Sequence, residues 1–385
     1  MSDRAARVTY VTRFVPSYRW PVLRALNTRL EGRLTVACGL PPGGSTLRSL
    51  SVDAPDIPQI PLTNRWIRGE SLHWQAFGPV LRANPAADVL LIEESPRTLS
   101  LRPLIRSARK RGMKVALWGH FSSIDRGVSA ASWRDRYRLE TARMADAVVA
   151  YTDELAVSLR PHLGKTPVYA ARNTLDTDVL FPLGDRLMAE GRNALRARLG
   201  LPDAHTLLFL GRLIPAKGVL RLIDIAGKVM QDTGKPLSLV VVGDGPERSA
   251  VESASEAAGI PIRITGALTD LQESAPWIAA ADVLVNPGYL GLSVNHAFAL
   301  GVPVVAPAPG PGGIGHSPEW AYVRHGFNGL LTPDATNGGL AEGVKTVIED
   351  ADGFSRRAAA FARDQLSMQR MIDGLMEAIG YLSHR

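Results

Sequence analysis

The stretch TLLFLGRLIPAKGVLRLIDIAGKV, residues 206–229, decides the fold. A continuous apolar run ends at Gly211, a short loop carries Arg212 and Lys217, and a helical pattern starts around Gly218. An apolar strand without alternation is one covered on both faces, as in a parallel sheet whose crossovers are helices. The same unit recurs along the chain. RVTYVTR (7–13), RLTVACG (33–39), DVLLIE (88–93), KVALWG (114–119), DAVVAYT (146–152) and PVYAARN (167–173) form one set of runs. TLLFLG (206–211), LSLVVVG (237–243), IRITG (262–266), DVLVNP (282–287), PVVAP (303–307) and NGLLTP (328–333) form a second. Helix-length segments separate them, so the sequence predicts an α/β protein of two doubly wound domains. The join is expected within residues 171–184, where turn residues and Pro182 interrupt the pattern. The expected domains are residues 1–172 and 173–363, with a final helix over 364–385 crossing back to the first. Ligands of such folds sit beyond the carboxyl ends of the strands, and two domains suggest a cleft between them.

The 385 residues suit two domains, and 45% of them are hydrophobic. Cys38 is the single cysteine, which excludes an internal disulfide and favours a reducing compartment. The start MSDRAARVTYVTRFVPSYRW breaks its apolar runs with arginine, and no apolar run is long enough to cross a bilayer. A cytoplasmic location is the expectation, with the inner face of the membrane as its extension. The net charge of +7 is uneven: residues 1–172 hold 26 Lys and Arg against 14 Asp and Glu. The densest part, RPLIRSARKRGMK (102–114), puts Arg102, Arg106 and Lys110 on one helix face. A solvated face, anionic lipid headgroups and an anionic acceptor all fit it. Nucleic acid does not, because no basic-aromatic motif or zinc spacing accompanies the charge.

The loops after the second set of strands carry the chemistry. Arg212 offers a planar fork of donors and Lys217 a compact positive charge, so a diphosphate is within the reach of both at a strand end. As isolated features they also fit ordinary surface charges. VVVGDGPERSAV places Gly243 and Gly245 in a tight turn, and ITGALTD ends a strand at Gly266, where a nucleobase can lie.

Taken together, GRLIPAKG, VVVGDGPE, ITGAL, AADVLVNPGYLGLSVNHAFALGVPVVAP and RHGFNGLL, over about residues 146–333, resemble the donor domain of retaining glycosyltransferases of family four, the group 1 glycosyl transferases of GT-B fold. The resemblance implies two Rossmann-like domains facing a cleft, and transfer of a sugar from a nucleotide-diphosphate sugar without metal or other cofactor. It implies that Arg212 and Lys217 grip the donor phosphates and stabilise the departing charge. Gly211, Gly243 and Gly266 shape the donor loops, and backbone amides at Leu292 and Ser293 open a helix toward phosphate. Glu319, in HSPEWAYVRHG, aligns with a glutamate of many relatives, and Asn173 with an Asn at the domain junction. His120, in ALWGHFSS, matches a histidine beside the donor sugar. Without the resemblance it reads as a half-buried, hydrogen-bonded structural histidine.

The stretch NPGYLGLSVNHAFALGVPVV (286–305) departs from that pattern. Relatives carry two glutamates there, the first toward the sugar hydroxyls and the second toward the ribose. Here Gly288 and His296 stand at those positions with the spacing intact. His296 retains a ring nitrogen to accept from a ribose hydroxyl. Gly288 brings no side chain, which leaves the amides of Tyr289, Leu290 and Gly291 for the sugar, with Ser293, Asn295 or His316 as compensating groups. Same-face transfer, in which the leaving phosphate takes the acceptor proton, needs no enzyme nucleophile. An active transferase is therefore the leading expectation, ahead of a silent nucleotide-sugar-binding scaffold or an epimerase.

The first half is expected to hold the acceptor: a glycan, a lipid-linked sugar or a small molecule. Ser17, Tyr18 and Arg19 follow the first strand, and either touch acceptor or donor phosphate or merely cap the next helix. GLPPGGSTLRSL (39–50) reads as a mobile loop, and SWRDRYRLETARMADA (132–147) as an amphipathic packing helix.

Overall fold

The computed structural model describes residues 5–42, 56–67, 72–83, 87–122, 127–310 and 315–384. The chain divides into two compact units, Met1–Asp176 with Met368–Arg385, and Thr177–Ser367. In the first unit the strands are β1 Val8–Thr12, β2 Leu34–Cys38, β3 Gln59–Pro61, β4 Asn64–Ile67, β5 Leu72–Gln75, β6 Val89–Glu93, β7 Lys114–Gly119, β8 Ala147–Ala150 and β9 Val168–Ala170. Seven of them form a parallel sheet in the order β3-β2-β1-β6-β7-β8-β9, and β4 and β5 pair as an antiparallel hairpin. The second unit holds β10 His205–Leu210, β11 Leu237–Val242, β12 Ile262–Gly266, β13 Val283–Val285, β14 Val304–Pro307 and β15 Gly329–Thr332, parallel in the order β12-β11-β10-β13-β14-β15. Both sheets reverse their winding beside the first strand, at β1/β6 and at β10/β13. Loops leaving those neighbouring strands diverge and open a crevice at each switch point.

Burial explains why the strands formed. Every residue of β1, β11, β13 and β14 is buried, and helices cover both faces of each sheet. All twelve predicted runs are strands. The three strands not anticipated are short or exposed: β3 has three residues, and β4 alternates half-buried and exposed positions.

Three expectations about helices need correction. Pro182 does not interrupt the chain but lies inside the helix Thr177–Glu190. Its missing N–H forfeits one bond, yet Leu180, Leu183, Gly184 and Leu187 are buried, and a Cβ on Gly184 would meet the Ala299 carbonyl oxygen at 2.6 Å. The final helix is Met368–Ser383, while Asp364 and Gln365 end a separate helix, Ala351–Gln365. The helix Trp133–Arg143 buries Asp135, Leu139 and Ala142 along one stripe, so its inner face carries a charge and is not purely apolar.

The last helix is fixed tightly to the first sheet. A Cβ at Gly374 would stand 2.2 Å from the Ala170 carbonyl oxygen and 2.9 Å from the Ala171 Cα. Glycine is required by that approach, and Gly374→Leu is expected to lower stability by about 1–3 kcal/mol through overpacking. Chemical denaturation would read it, and an unchanged midpoint would show the helix to be loosely docked. No helix among the described residues is long and apolar enough to cross a membrane.

Candidate functional site

The switch point of the second sheet brings the expected donor residues together. The loop after β10 runs Gly211, Arg212, Leu213, Ile214, makes one turn of 3₁₀ helix over Pro215–Lys217, and reverses at Gly218 with φ 65°. The helix then starts at Arg221, three residues later than anticipated. β13 neighbours β10, so the loop 286–292 lies against this turn. Lys217 is buried; its Nζ donates to the Tyr289 carbonyl at 2.7 Å and sits 3.6 Å from the Tyr289 ring centroid. Burial and the nearby Arg212 guanidinium pull its pKa down to about 8, while Glu319 opposes them. Arg212 itself is exposed.

Gly288 packs directly against the turn at Ala216 and Lys217. A Cβ there would lie 2.4 Å from the Ala216 carbonyl oxygen and 2.5 Å from the Lys217 carbonyl carbon. Those neighbours are backbone and cannot swing aside. The space beside Gly288 is thus filled by the turn at Ala216 and Lys217. Arg221 locks the arrangement by donating to the Pro287 carbonyl at 2.8 Å and to Asn337 Oδ1 at 2.7 Å. Asn286 accepts from the Gly288 amide at 3.2 Å and donates to the Tyr289 carbonyl.

His316 overturns one expectation. Its Nδ1 accepts the Leu290 amide at 2.9 Å and its Nε2 faces the Pro307 carbonyl at 2.9 Å. That pair of partners requires the neutral tautomer with hydrogen on Nε2. Burial lowers its pKa, the Pro307 carbonyl opposes that, and Lys217 adds to the lowering. The Leu290 amide is therefore taken and does not face a sugar; the Tyr289 and Gly291 amides are the remaining two of that expectation.

Leu292 caps the helix Ser293–Ala299. Ser293 and His296 are three residues apart on one helix face, and Ser293 Oγ and His296 Nδ1 are buried without a hydrogen-bond partner. Burial holds the His296 pKa near 4, so its imidazole is neutral at ordinary pH. Glu319 is buried in the turn Pro318–Tyr322. Gly243 explains the tight end of β11: its φ is 152°, and a Cβ would meet the Gly211 carbonyl oxygen at 1.9 Å. The Gly243 amide donates to the Gly266 carbonyl at 2.9 Å, which joins the three glycine-ended strands. A separate cavity of about 490 Å³ opens at the opposite, N-terminal edge of this sheet, beside His205, Leu237 and Lys345. Ligands of such sheets bind at the other end.

The first unit's switch point is held by charge. Glu93, at the end of β6, accepts from Arg13 Nη2 at 2.5 Å, Arg13 Nε at 3.1 Å and Thr12 Oγ1 at 2.6 Å. Burial works against the carboxylate, but Arg13 prevails and holds its pKa down to about 2. His120, at the end of β7, is exposed rather than half-buried, and stacks on Tyr151 with ring centroids 4.6 Å apart. Ser17 and Tyr18 remain at the surface, but Arg19 does not. Arg19 is 5% exposed, donates to Asn173 Oδ1 at 2.8 Å and lies 4.9 Å from the Trp118 ring centroid. It fastens the first helix to residue 173.

The basic stripe of residues 102–110 is also divided. Arg102 donates to Thr141 Oγ1 at 2.7 Å and to the Tyr137 carbonyl at 2.8 Å, with its guanidinium 3.6 Å from the Tyr137 ring centroid. Only Arg106 and Lys110 of the three face solvent. Of the expected loop 39–50, residues 43–50 lie outside the described residues.

Comparison with known proteins places the chain among similar folds and sequences. Residues 204–350 match the family model described as glycosyl transferases group 1. A D-inositol 3-phosphate glycosyltransferase of Nocardioides is 32% identical over 59% of this chain and 51% of its own. A GDP-mannose-dependent alpha-(1-6)-phosphatidylinositol dimannoside mannosyltransferase of Mycobacterium tuberculosis is 26% identical over 76% of this chain and 74% of its own. The chain spans about half the length of the Nocardioides relative. Among solved structures, Anabaena HepE in complex with UDP superposes with a TM-score of 0.70 at 18% identity, over 97% of this chain and 100% of its own. Sucrose-phosphate synthase from Thermosynechococcus elongatus also gives 0.70 at 18%, over 97% and 98%. The two Rossmann-like sheets are the GT-B fold, and residues 204–350 are similar to the group 1 glycosyl transferases.

Proposed function

We propose that the protein transfers a sugar from a nucleotide-diphosphate sugar to an acceptor hydroxyl, with retention at the anomeric carbon and without a metal. The observation that carries this reading is the buried Lys217 ammonium at the β10/β13 switch point, with the exposed Arg212 guanidinium beside it. Two cations at the carboxyl ends of parallel strands are suited to a diphosphate. In this reading the bond from the anomeric carbon to the phosphate oxygen breaks, the acceptor oxygen attacks on the same face, and the leaving diphosphate takes the acceptor proton. Arg212 and Lys217 offset the charge that grows on the leaving group. Ser293 Oγ and His296 Nδ1 supply unpaired polar atoms for the donor, and His120 is assigned to the transferred sugar.

The named activities of the relatives suggest a phosphorylated inositol or a lipid-linked glycan as acceptor. The excess of Lys and Arg in residues 1–172 supports either, and supports a cytoplasmic enzyme at an anionic membrane face. The second reading is a silent nucleotide-sugar-binding scaffold, favoured by the filled space at Gly288.

Proton NMR of the sugar first released from donors such as UDP-glucose and GDP-mannose tests the proposal. Release of the donor's own anomeric configuration supports retaining transfer; the opposite anomer refutes it, and no release moves the scaffold reading forward. A pH series adds a second check. Lys217 loses its charge as pH rises through about 8, so donor affinity is expected to be constant below that value and to fall above it. A flat profile from pH 7 to 9.5 would remove Lys217 from the diphosphate.

A further inference from the structure

After β7 the chain turns through His120 and Phe121, and Phe121 adopts φ 47° while 1% exposed. A bulky side chain resists this left-handed conformation unless its surroundings impose it. The surroundings here are Glu94, the residue after β6. Its Oε2 accepts the Phe121 amide at 3.1 Å and its Oε1 accepts Arg138 Nε at 3.1 Å. Arg138 also lies 3.8 Å from Asp135, which accepts from Ser132 Oγ at 2.7 Å. The Glu94 amide donates to the Trp118 carbonyl, and a Cβ on Gly119 would come within 2.7 Å of Glu94 Cβ. Glu94 therefore touches the turn from both sides of His120.

We propose that Glu94 is a positioning residue for His120. The carboxylate fixes the Phe121 amide and so aims the exposed imidazole, which its stacking on Tyr151 alone leaves free to rock. A carboxylate suits the task because two donors, one of them cationic, must be met by one buried side chain. A glutamine has a single acceptor oxygen and can satisfy only one of them. The catalytic consequence rests on the proposed part of His120 in transfer; the positioning itself does not.

Two measurements on the full-length protein separate these statements. In histidine-labelled protein the His120 ring resonances, assigned by their loss in His120→Ala, carry a ring-current shift from Tyr151. Glu94→Ala is expected to move them toward free-histidine values, with Glu94→Gln intermediate and usable if the alanine variant does not fold. In turnover of UDP-glucose or GDP-mannose, Glu94→Ala is expected to lower kcat about 10- to 100-fold, the scale of a misplaced catalytic group, with KM within twofold of the wild type. Added to His120→Ala it should cost nothing more, because both changes remove one function. Unmoved resonances in a folded Glu94 variant would overturn the positioning. Independent, multiplying losses in the double variant would make Glu94 merely structural. A fully active His120→Ala protein would overturn the role of His120, while the resonances would still judge Glu94.

Discussion

Lys217→Ala is expected to weaken nucleotide-diphosphate-sugar binding about 10- to 150-fold, the value of one charge-assisted hydrogen bond of about 1.5–3 kcal/mol. The ammonium is held by the Tyr289 carbonyl and the Tyr289 ring before any donor arrives, so its rotamers are restricted in advance. Arginine is not a substitute, because a planar fork does not fit a slot shaped for a compact ammonium against backbone. Lys217→Arg is expected to behave like the alanine variant. Calorimetry at pH 7 reads both. An alanine variant that binds donor like the wild type would show that this lysine fastens the loop 286–292 and nothing else.

Gly288→Glu is expected to damage the protein, although the resemblance implies a glutamate at this position. The new Cβ would stand 2.4–2.6 Å from the Ala216 carbonyl oxygen and from the Lys217 carbonyl carbon and Cα. Accommodation requires moving the 3₁₀ turn away from loop 286–292, which breaks the Lys217–Tyr289 bond. Overpacking of this kind costs about 1–3 kcal/mol, and the displaced lysine adds its own loss of donor affinity. Gly288→Ala should show most of the same effect, because the clash begins at Cβ. Melting temperature and turnover check it together. A Gly288→Glu protein that turns over faster with an unchanged melting temperature would show an open pocket and contradict the packing described here.

Much of this was legible in the sequence because the relevant signals are local. Buried parallel strands are written as unbroken apolar runs, and the charged loops follow them at once, as at Gly211–Lys217. The hairpin β4–β5 was not legible, since its half-exposed residues give no continuous run. Nor were the contacts that decide each loop's role. Glu93 and Glu94 stand together at the end of an apolar strand, a signal for a site, but their partners Arg13 and Arg138 lie 80 and 44 residues away. Arg19 looked like a loop residue free to meet a ligand, and only its bond to Asn173, 154 residues on, shows it to be structural. Gly288 could be read as a missing carboxylate; that the Ala216–Lys217 backbone occupies the space is a property of two adjacent strand ends and of no single stretch.

The most direct test of the central claim is calorimetry of UDP-, GDP-, ADP- and TDP-sugars against the wild type and the Arg212→Ala and Lys217→Ala proteins. The account predicts that one nucleotide binds the wild type and that both variants, still folded, lose at least tenfold in affinity. Binding of equal strength to all three proteins would place the donor elsewhere and contradict it.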